Sequence, residues 1–156
     1  MQKLLLILLT LVAATSAQTV KFQLLSTVGH TVPTAANATT DSFNVGAALK
    51  IDLSKKYFIR PFFTIGAVRP EIAKPKLTPV LQGCVVAGLK FNRLFGVVVG
   101  GGVTDLMPSN KPNAYLPTLI VATTWRLTKN LGFFPGFSRT SRGTSPTAQI
   151  AYTFLK

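Results

Sequence analysis

Between Phe43 and Val68 the chain reads FNVGAALKIDLSKKYFIRPFFTIGAV, and the first half of this stretch alternates without a break. Phe43, Val45, Ala47, Leu49, Ile51 and Leu53 share one parity, while Asn44, Gly46, Ala48, Lys50 and Asp52 share the other. Successive side chains of a strand point to opposite faces, so the segment is a ribbon with one apolar side and one small or polar side. Ser54, Lys55 and Lys56 offer a turn, and from Tyr57 the alternation resumes. The pattern is that of a hairpin, and a chain built on it folds by pairing more ribbons of the same kind.

Eight such runs can be read: Thr19–Val28, Ser42–Leu53, Tyr57–Arg69, Val80–Phe91, Phe95–Thr104, Tyr115–Leu127, Leu131–Ser138 and Thr147–Leu155. Very short turns at Ser54–Lys56, Asn92–Leu94 and Thr128–Asn130 alternate with longer connections at Gly29–Asp41, Pro70–Pro79, Asp105–Ala114 and Arg139–Ser145. The longer ones carry Gly, Pro, Asn and Ser, the residues of turns and loops. Each short turn repeats a theme, with one basic residue ending the strand and another within the turn. The expected fold class is all-β, an eight-stranded antiparallel up-and-down barrel with short turns at one end and long loops at the other. Pro61, Pro117 and Pro135 fall inside strand runs. Proline donates no ladder hydrogen bond, so a bulge or a later strand start is expected at each.

The two faces decide what surrounds the barrel. One parity gathers Phe22, Leu24, Phe63, Ile65, Val97, Val99, Val121, Phe137 and Ile150, with no charge inside any run. The other gathers the glycines, the hydroxyl and amide residues and every charge internal to a strand. In a soluble barrel holding a hydrophobic ligand, the glycine-rich face would meet water while showing Phe58, Phe62, Val86, Val98, Ile120 and Phe134. That is a poor solvent face. In a transmembrane barrel the directions invert, with apolar residues toward lipid and small and polar ones in a narrow interior. Charged residues are only 13% of the chain, against about 25% in ordinary soluble domains. The membrane reading accounts for both observations.

The amino terminus, MQKLLLILLTLVAATSA, has a basic start at Lys3, an apolar run and small residues at Thr15–Ala17. It reads as a secretory signal peptide over 1–17, leaving a single barrel domain over 18–156. The run is too short for a helix crossing a membrane core, which takes about 20 residues. Cys84 is the sole cysteine, so no internal disulfide forms, and its apolar setting suits a small buried residue.

A leader, eight alternating strands, short turns opposite long loops and an aromatic last strand with Tyr152 and Phe154 together resemble the small OmpA/OmpX-like outer-membrane β-barrels of bacteria. The resemblance covers nearly all of the chain after the leader. It implies a place in the outer membrane, termini toward the periplasm, loops outside, and insertion by the barrel-insertion machinery. That family ends on an aromatic residue, whereas Leu155 and Lys156 follow Phe154 here.

Two sets of residues are candidates for function. Lys21, Lys50, Arg60, Lys90 and Arg126 share the interior face with Asp52, all toward the short-turn end, and would make a positively charged lumen. Tyr57, Phe91, Phe95, Trp125, Tyr152 and Phe154 near the turns, with Tyr115 on the loop side, suit the membrane interface. The 17 basic residues against 4 acidic ones give a net charge of +13. These charges are spread one or two per turn or loop, without the basic helix or aromatic platform of a nucleic-acid binder. Lipid headgroups and lipopolysaccharide are the expected counterparts. No enzyme is expected. His30 is the only histidine, near Ser26, Asp41 and Ser42, and reads as a loop residue. No cofactor or metal is implied, since one His, one Cys and four acids form no cluster. Gly100–Gly102 lacks the lysine and following helix of a phosphate loop. The expected role is structural or surface-interacting through loops 29–41, 70–79, 105–114 and 139–145. The alternatives are a narrow anion-leaning pore and a secreted soluble barrel with a hydrophobic ligand.

Overall fold

A computed structural model describes residues 19–33, 40–70, 77–108 and 112–154. Residues 1–18, which include the segment read as a signal peptide, the middles of the first three loops, and Leu155 and Lys156 lie outside the described residues. The strands are β1 (Thr19–Pro33), β2 (Thr40–Asp52), β3 (Tyr57–Pro70), β4 (Thr78–Lys90), β5 (Phe95–Leu106), β6 (Ala114–Arg126), β7 (Leu131–Thr140) and β8 (Gly143–Thr153). Each pairs antiparallel with its sequence neighbour, and β8 returns to β1 to close the barrel. Closure leaves no edge strand, the condition a sheet must meet to sit in lipid. Strands of 10–15 residues meet or exceed the 9–11 that a tilted strand needs to cross a bilayer core.

The alternation read from the sequence sorts the side chains. Phe22, Leu24, Phe43, Val45, Phe63, Ile65, Val99, Leu119, Val121, Phe137 and Ile150 stand exposed on the outside. Leu25, Phe58, Phe62, Val86, Val98 and Phe134 are buried inside. Charges on the outward parity occur at the loop rim, at Asp41, Arg69, Asp105 and Arg139, so the middle of the outer surface is an uncharged apolar belt. Glycines let the interior close up. A Cβ at Gly88 would strike the Phe58 ring, and one at Gly136 would strike Ala122.

The turns share one device. Ser54 Oγ accepts from the backbone N–H of Lys56 and Tyr57 at 3.2 and 3.0 Å. Asn92 Oδ1 does the same for Leu94 and Phe95 at 2.7 and 2.8 Å, and Thr128 Oγ1 for Asn130 and Leu131 at 3.2 and 3.0 Å. A short polar side chain thus satisfies backbone donors that the tight turn strips from the ladder.

Several sequence-based boundaries move. β1 continues to Pro33, so Gly29 and His30 lie in a strand, and β7 and β8 extend until only Ser141 and Arg142 separate them. The segment 139–145 is therefore a tight hairpin, not a long loop. Arg139 pairs with Thr144 and Thr140 with Gly143, and Thr140 Oγ1 accepts from the Arg142 N–H at 3.2 Å. Loops 29–41, 70–79 and 105–114 shorten likewise, to the residues between β1 and β2, β3 and β4, and β5 and β6.

The prolines produce interruptions, not bulges. Pro61 pairs with Val85 of β4, while the β2–β3 ladder skips from Ala48↔Phe62 to Ile51↔Ile59 in unchanged register. Pro135 pairs with Ala148 of β8, and the β6–β7 ladder skips from Ala122↔Gly136 to Trp125↔Phe133. The missing N–H is on the skipped side in both cases, so the strand needs no extra residue. At the second gap Thr123 Oγ1 donates to the Pro135 carbonyl at 3.3 Å and accepts from Trp125 Nε1 at 3.0 Å. Pro117 pairs with Val103, beyond the point where β6 meets β7.

Candidate functional site

The lumen is divided. A cavity of about 410 Å³ lies at the turn end and one of about 610 Å³ at the loop end. Between them pack Leu25, Phe58, Val86 and Ala151, none more than 3% exposed.

The turn-end cavity holds the charges that alternation placed inward on β1, β2 and β4. Asp52 accepts from Lys90 Nζ at 2.6 Å and from Thr19 Oγ1 at 3.1 Å. Lys50 and Lys21 approach the same carboxylate at 3.7 and 4.0 Å. Three ammonium groups thus share one carboxylate. The Phe58 ring lies beneath two of them, 4.8 Å from Lys50 Nζ and 5.6 Å from Lys90 Nζ, where its negative face adds attraction. Arg126 borders the same cavity but does not join the group. Its guanidinium donates to the Thr128 and Lys129 carbonyls at 3.2 and 3.3 Å, tying it to its own turn.

Arg60 also stands apart, against the expectation of a single charge cluster at the turn end. Its long side chain carries the guanidinium away from the lysines to the floor of the loop-end cavity. There Nη2 donates to Gln149 Oε1 at 2.6 Å, and the group lies 4.1 Å from the Phe134 ring centre and 5.6 Å from that of Phe62. Above it the walls are lined with hydroxyls and amides. Thr64 Oγ1 donates to Gln82 Oε1 at 3.5 Å, Gln82 Nε2 to Thr104 Oγ1 at 3.3 Å, and Thr104 bonds Thr118 at 2.7 Å. This chain of side chains crosses β3 to β6. Across the β1–β8 seam, Gln23 bonds Thr153 at 2.8 Å, Gln149 bonds Thr27 at 3.0 Å, and Thr31 bonds Ser145 at 2.7 Å. Alternation placed many of these on the inner face, but not the partners each one finds.

The aromatic residues form arcs at the turn end. Phe91 stacks on Phe95 at 5.6 Å and Phe95 meets Trp125 at 4.9 Å. Tyr152 meets Phe154 edge-on at 5.2 Å, and Phe154 meets Phe22 at 5.7 Å. Phe22 was read only as an apolar-face residue. Its level on β1, beside the last residues of β8, is the signal that would have found it. Tyr57 is exposed near the same end and Tyr115 at the loop end, outside both arcs.

His30 is a strand residue whose Nδ1 lies 2.7 Å from Asp41 Oδ1, its direct cross-strand partner. Ser42 faces the lumen instead, and its hydroxyl donates to the Gly29 carbonyl at 3.3 Å. His30, Asp41 and Ser42 are therefore not assembled as a nucleophile and base. Among the described residues no group of three His, Cys, Asp or Glu side chains could hold a metal ion.

No protein-family model and no curated protein matches the sequence. Solved structures do match the fold. The attachment invasion locus protein Ail of Yersinia pestis, in a phospholipid bilayer nanodisc, aligns over 87% of this chain and 100% of its own, with a TM-score of 0.59 and 6% identity. A de novo designed transmembrane β-barrel aligns over 86% of this chain and 95% of its own, with a TM-score of 0.55 and 14% identity. Neisserial surface protein A aligns over 86% and 97%, with a TM-score of 0.53 and 8% identity. At such low identity the shared property is the architecture. An uncharged apolar belt around a closed barrel with a polar interior is what a bilayer demands. The chain therefore has the fold of the small eight-stranded outer-membrane β-barrels.

Proposed function

We propose that the chain is a non-enzymatic barrel whose working surface is the loop end, in a structural or surface-interaction role toward an anionic partner. The observation that carries this reading is the packed middle of the lumen. Leu25, Phe58, Val86 and Ala151 fill it to 3% exposure or less, which leaves recognition to the ends of the barrel. Connections on a rigid scaffold are where binding groups are commonly displayed. Arg69, Arg139 and Arg142 are exposed at that end, and Ail has been crystallised with the heparin analogue sucrose octasulfate. At the turn end the exposed Lys55, Lys56, Arg93 and Lys129 would sit near headgroup phosphates, beside the aromatic arcs. Outer-membrane lipid and lipopolysaccharide, and the insertion machinery during assembly, are the remaining partners of this reading.

The test is made on barrels refolded into lipid. The expected result is baseline conductance in a planar bilayer together with retention on immobilised heparin, reduced in the double variant Arg139→Ser, Arg142→Ser. Stepwise anion-selective conductance would instead favour a pore. Membrane placement has its own check. Val99→Arg charges an outward site that is 55% exposed near the middle of β5, and should cost about 2–4 kcal/mol in lipid at the midplane. A variant that is harmless, in a protein soluble without detergent, would restore the soluble ligand-binding barrel.

A further inference from the structure

We propose that the loop-end cavity is a binding site for a small oxyanion, seated on Arg60. Arg60 is 3% exposed, and Nε and Nη1 have no hydrogen-bond partner. A guanidinium keeps its charge at any physiological pH and carries five N–H donors in a planar fork. Here Nη2 is engaged, by Gln149, and the N–H donors of Nε and Nη1, on opposite flanks of the guanidinium, are bare. The orientation of Gln149 is fixed by the donor-only guanidinium, which takes Oε1 and leaves Nε2 to donate to Thr27 Oγ1. Its oxygen therefore holds the arginine without neutralising it.

The chain supplies no carboxylate for this charge among the described residues. Asp52 is shared by three lysines, Asp41 is held by His30 on the outer face, and Asp105 Oδ2 accepts from Asn113 near the rim. A buried charge left unpaired in a low-dielectric interior is strongly unfavourable, and the Phe134 face offsets only part of that. A cavity of about 610 Å³ stands over the arginine, lined by hydroxyl and amide groups and by apolar side chains, with Arg142 also on its wall. Asn44 Oδ1, in the same cavity, is also buried without a partner. An oxyanion that carries an O–H would satisfy both residues, a charged oxygen accepting from the bare Nη1 donors and its hydroxyl donating to Asn44 Oδ1. Hydrogen phosphate has this chemistry and chloride lacks it. Binding requires the guanidinium to tilt out of its stack on Phe134 so that Nη1 faces the cavity. The site is distinct from the lysine group at the turn end.

The experiment uses the full barrel in lipid nanodiscs, with arginine and glutamine side-chain amide signals followed during titration with inorganic phosphate. Sodium chloride at matched ionic strength serves as the control. Expected are saturable shifts of the Arg60 Nε–H and Gln149 amide signals with phosphate and not with chloride. Arg60→Gln should abolish them while the barrel keeps its heat-dependent gel mobility. Gln149→Glu places a carboxylate where Gln149 Oε1 meets the guanidinium. It should weaken phosphate binding at least about tenfold and raise the unfolding temperature, because the charge is then paired internally. The proposal is overturned if Arg60 does not respond to phosphate, or if chloride gives the same response. A response unchanged in Gln149→Glu, or one confined to Lys50 and Lys90, overturns it equally.

Discussion

The two halves of the lumen handle buried charge in opposite ways. At the turn end, Lys21, Lys50 and Lys90 crowd one carboxylate, so every ammonium has an anionic neighbour and still reaches water. At the loop end a more deeply buried guanidinium has an amide oxygen and two aromatic rings, with part of its donor edge bare. Each arrangement uses a ring on the inner face, Phe58 below and Phe134 above, and Gly88 leaves the space that Phe58 fills. The first half is electrostatically complete in itself. The second is complete only with something added.

The largest effect that would sharpen this contrast is expected from Asp52→Asn. Removing one partner of a fully buried ion pair costs about 3–5 kcal/mol. The lysine side chains are 23–36% exposed, so water screens the stranded charges and the expected loss is about 2 kcal/mol. The urea midpoint of the compact-to-extended gel transition would report it, with partial recovery in high salt. Thr104→Val cuts the polar chain above Arg60, leaving Gln82 Nε2 without its acceptor, for a loss of about 1 kcal/mol by the same assay. Arg60→Met should have the smallest effect, within about 1 kcal/mol of the parent in either direction. It sacrifices a hydrogen bond and ring contacts but also removes an unpaired buried charge. If Arg60→Met is as damaging as Asp52→Asn, Arg60 is satisfied within the barrel and the contrast between the halves disappears.

Much of this was visible in the order of the residues. A period of two fixes which side chains face inward, and a one-residue slip would have put Phe63 and Val99 in the lumen. That strictness made the faces of all eight strands readable from Phe22 to Ile150. The last hairpin is hidden in the sequence because Ser138-Arg139-Thr140-Ser141-Arg142-Gly143 has the composition of a loop. Local capping by Thr140 and cross-strand pairing overrode it. β1 was drawn short for a similar reason: Gly29 and His30 look like the start of a loop until Ser42 and Asp41 are seen opposite them. The site was harder. Alternation assigned Arg60 to the inner face but could not say how far along the barrel axis its side chain would reach. The grouping of Lys21, Lys50 and Lys90 on Asp52 depends on register between strands, which one strand's pattern does not contain.

The β1–β8 seam has a consequence for how the barrel comes to exist. Its residues are brought together from opposite ends of the domain, with Gln23 and Thr153 separated by 130 positions. The hairpins are local, and β7–β8 turns on two residues. Joining distant segments carries a loop-closure entropy that local pairs largely avoid, and non-local pairing is slow to form. Successive hairpins should therefore assemble before the ring shuts, and until then β1 and β8 present bare backbone edges. The side-chain clasps at Gln23, Thr27 and Thr31 hold the joint that forms last. A barrel deprived of them would accumulate as an open sheet, competent to pair with a second chain before it could pair with itself.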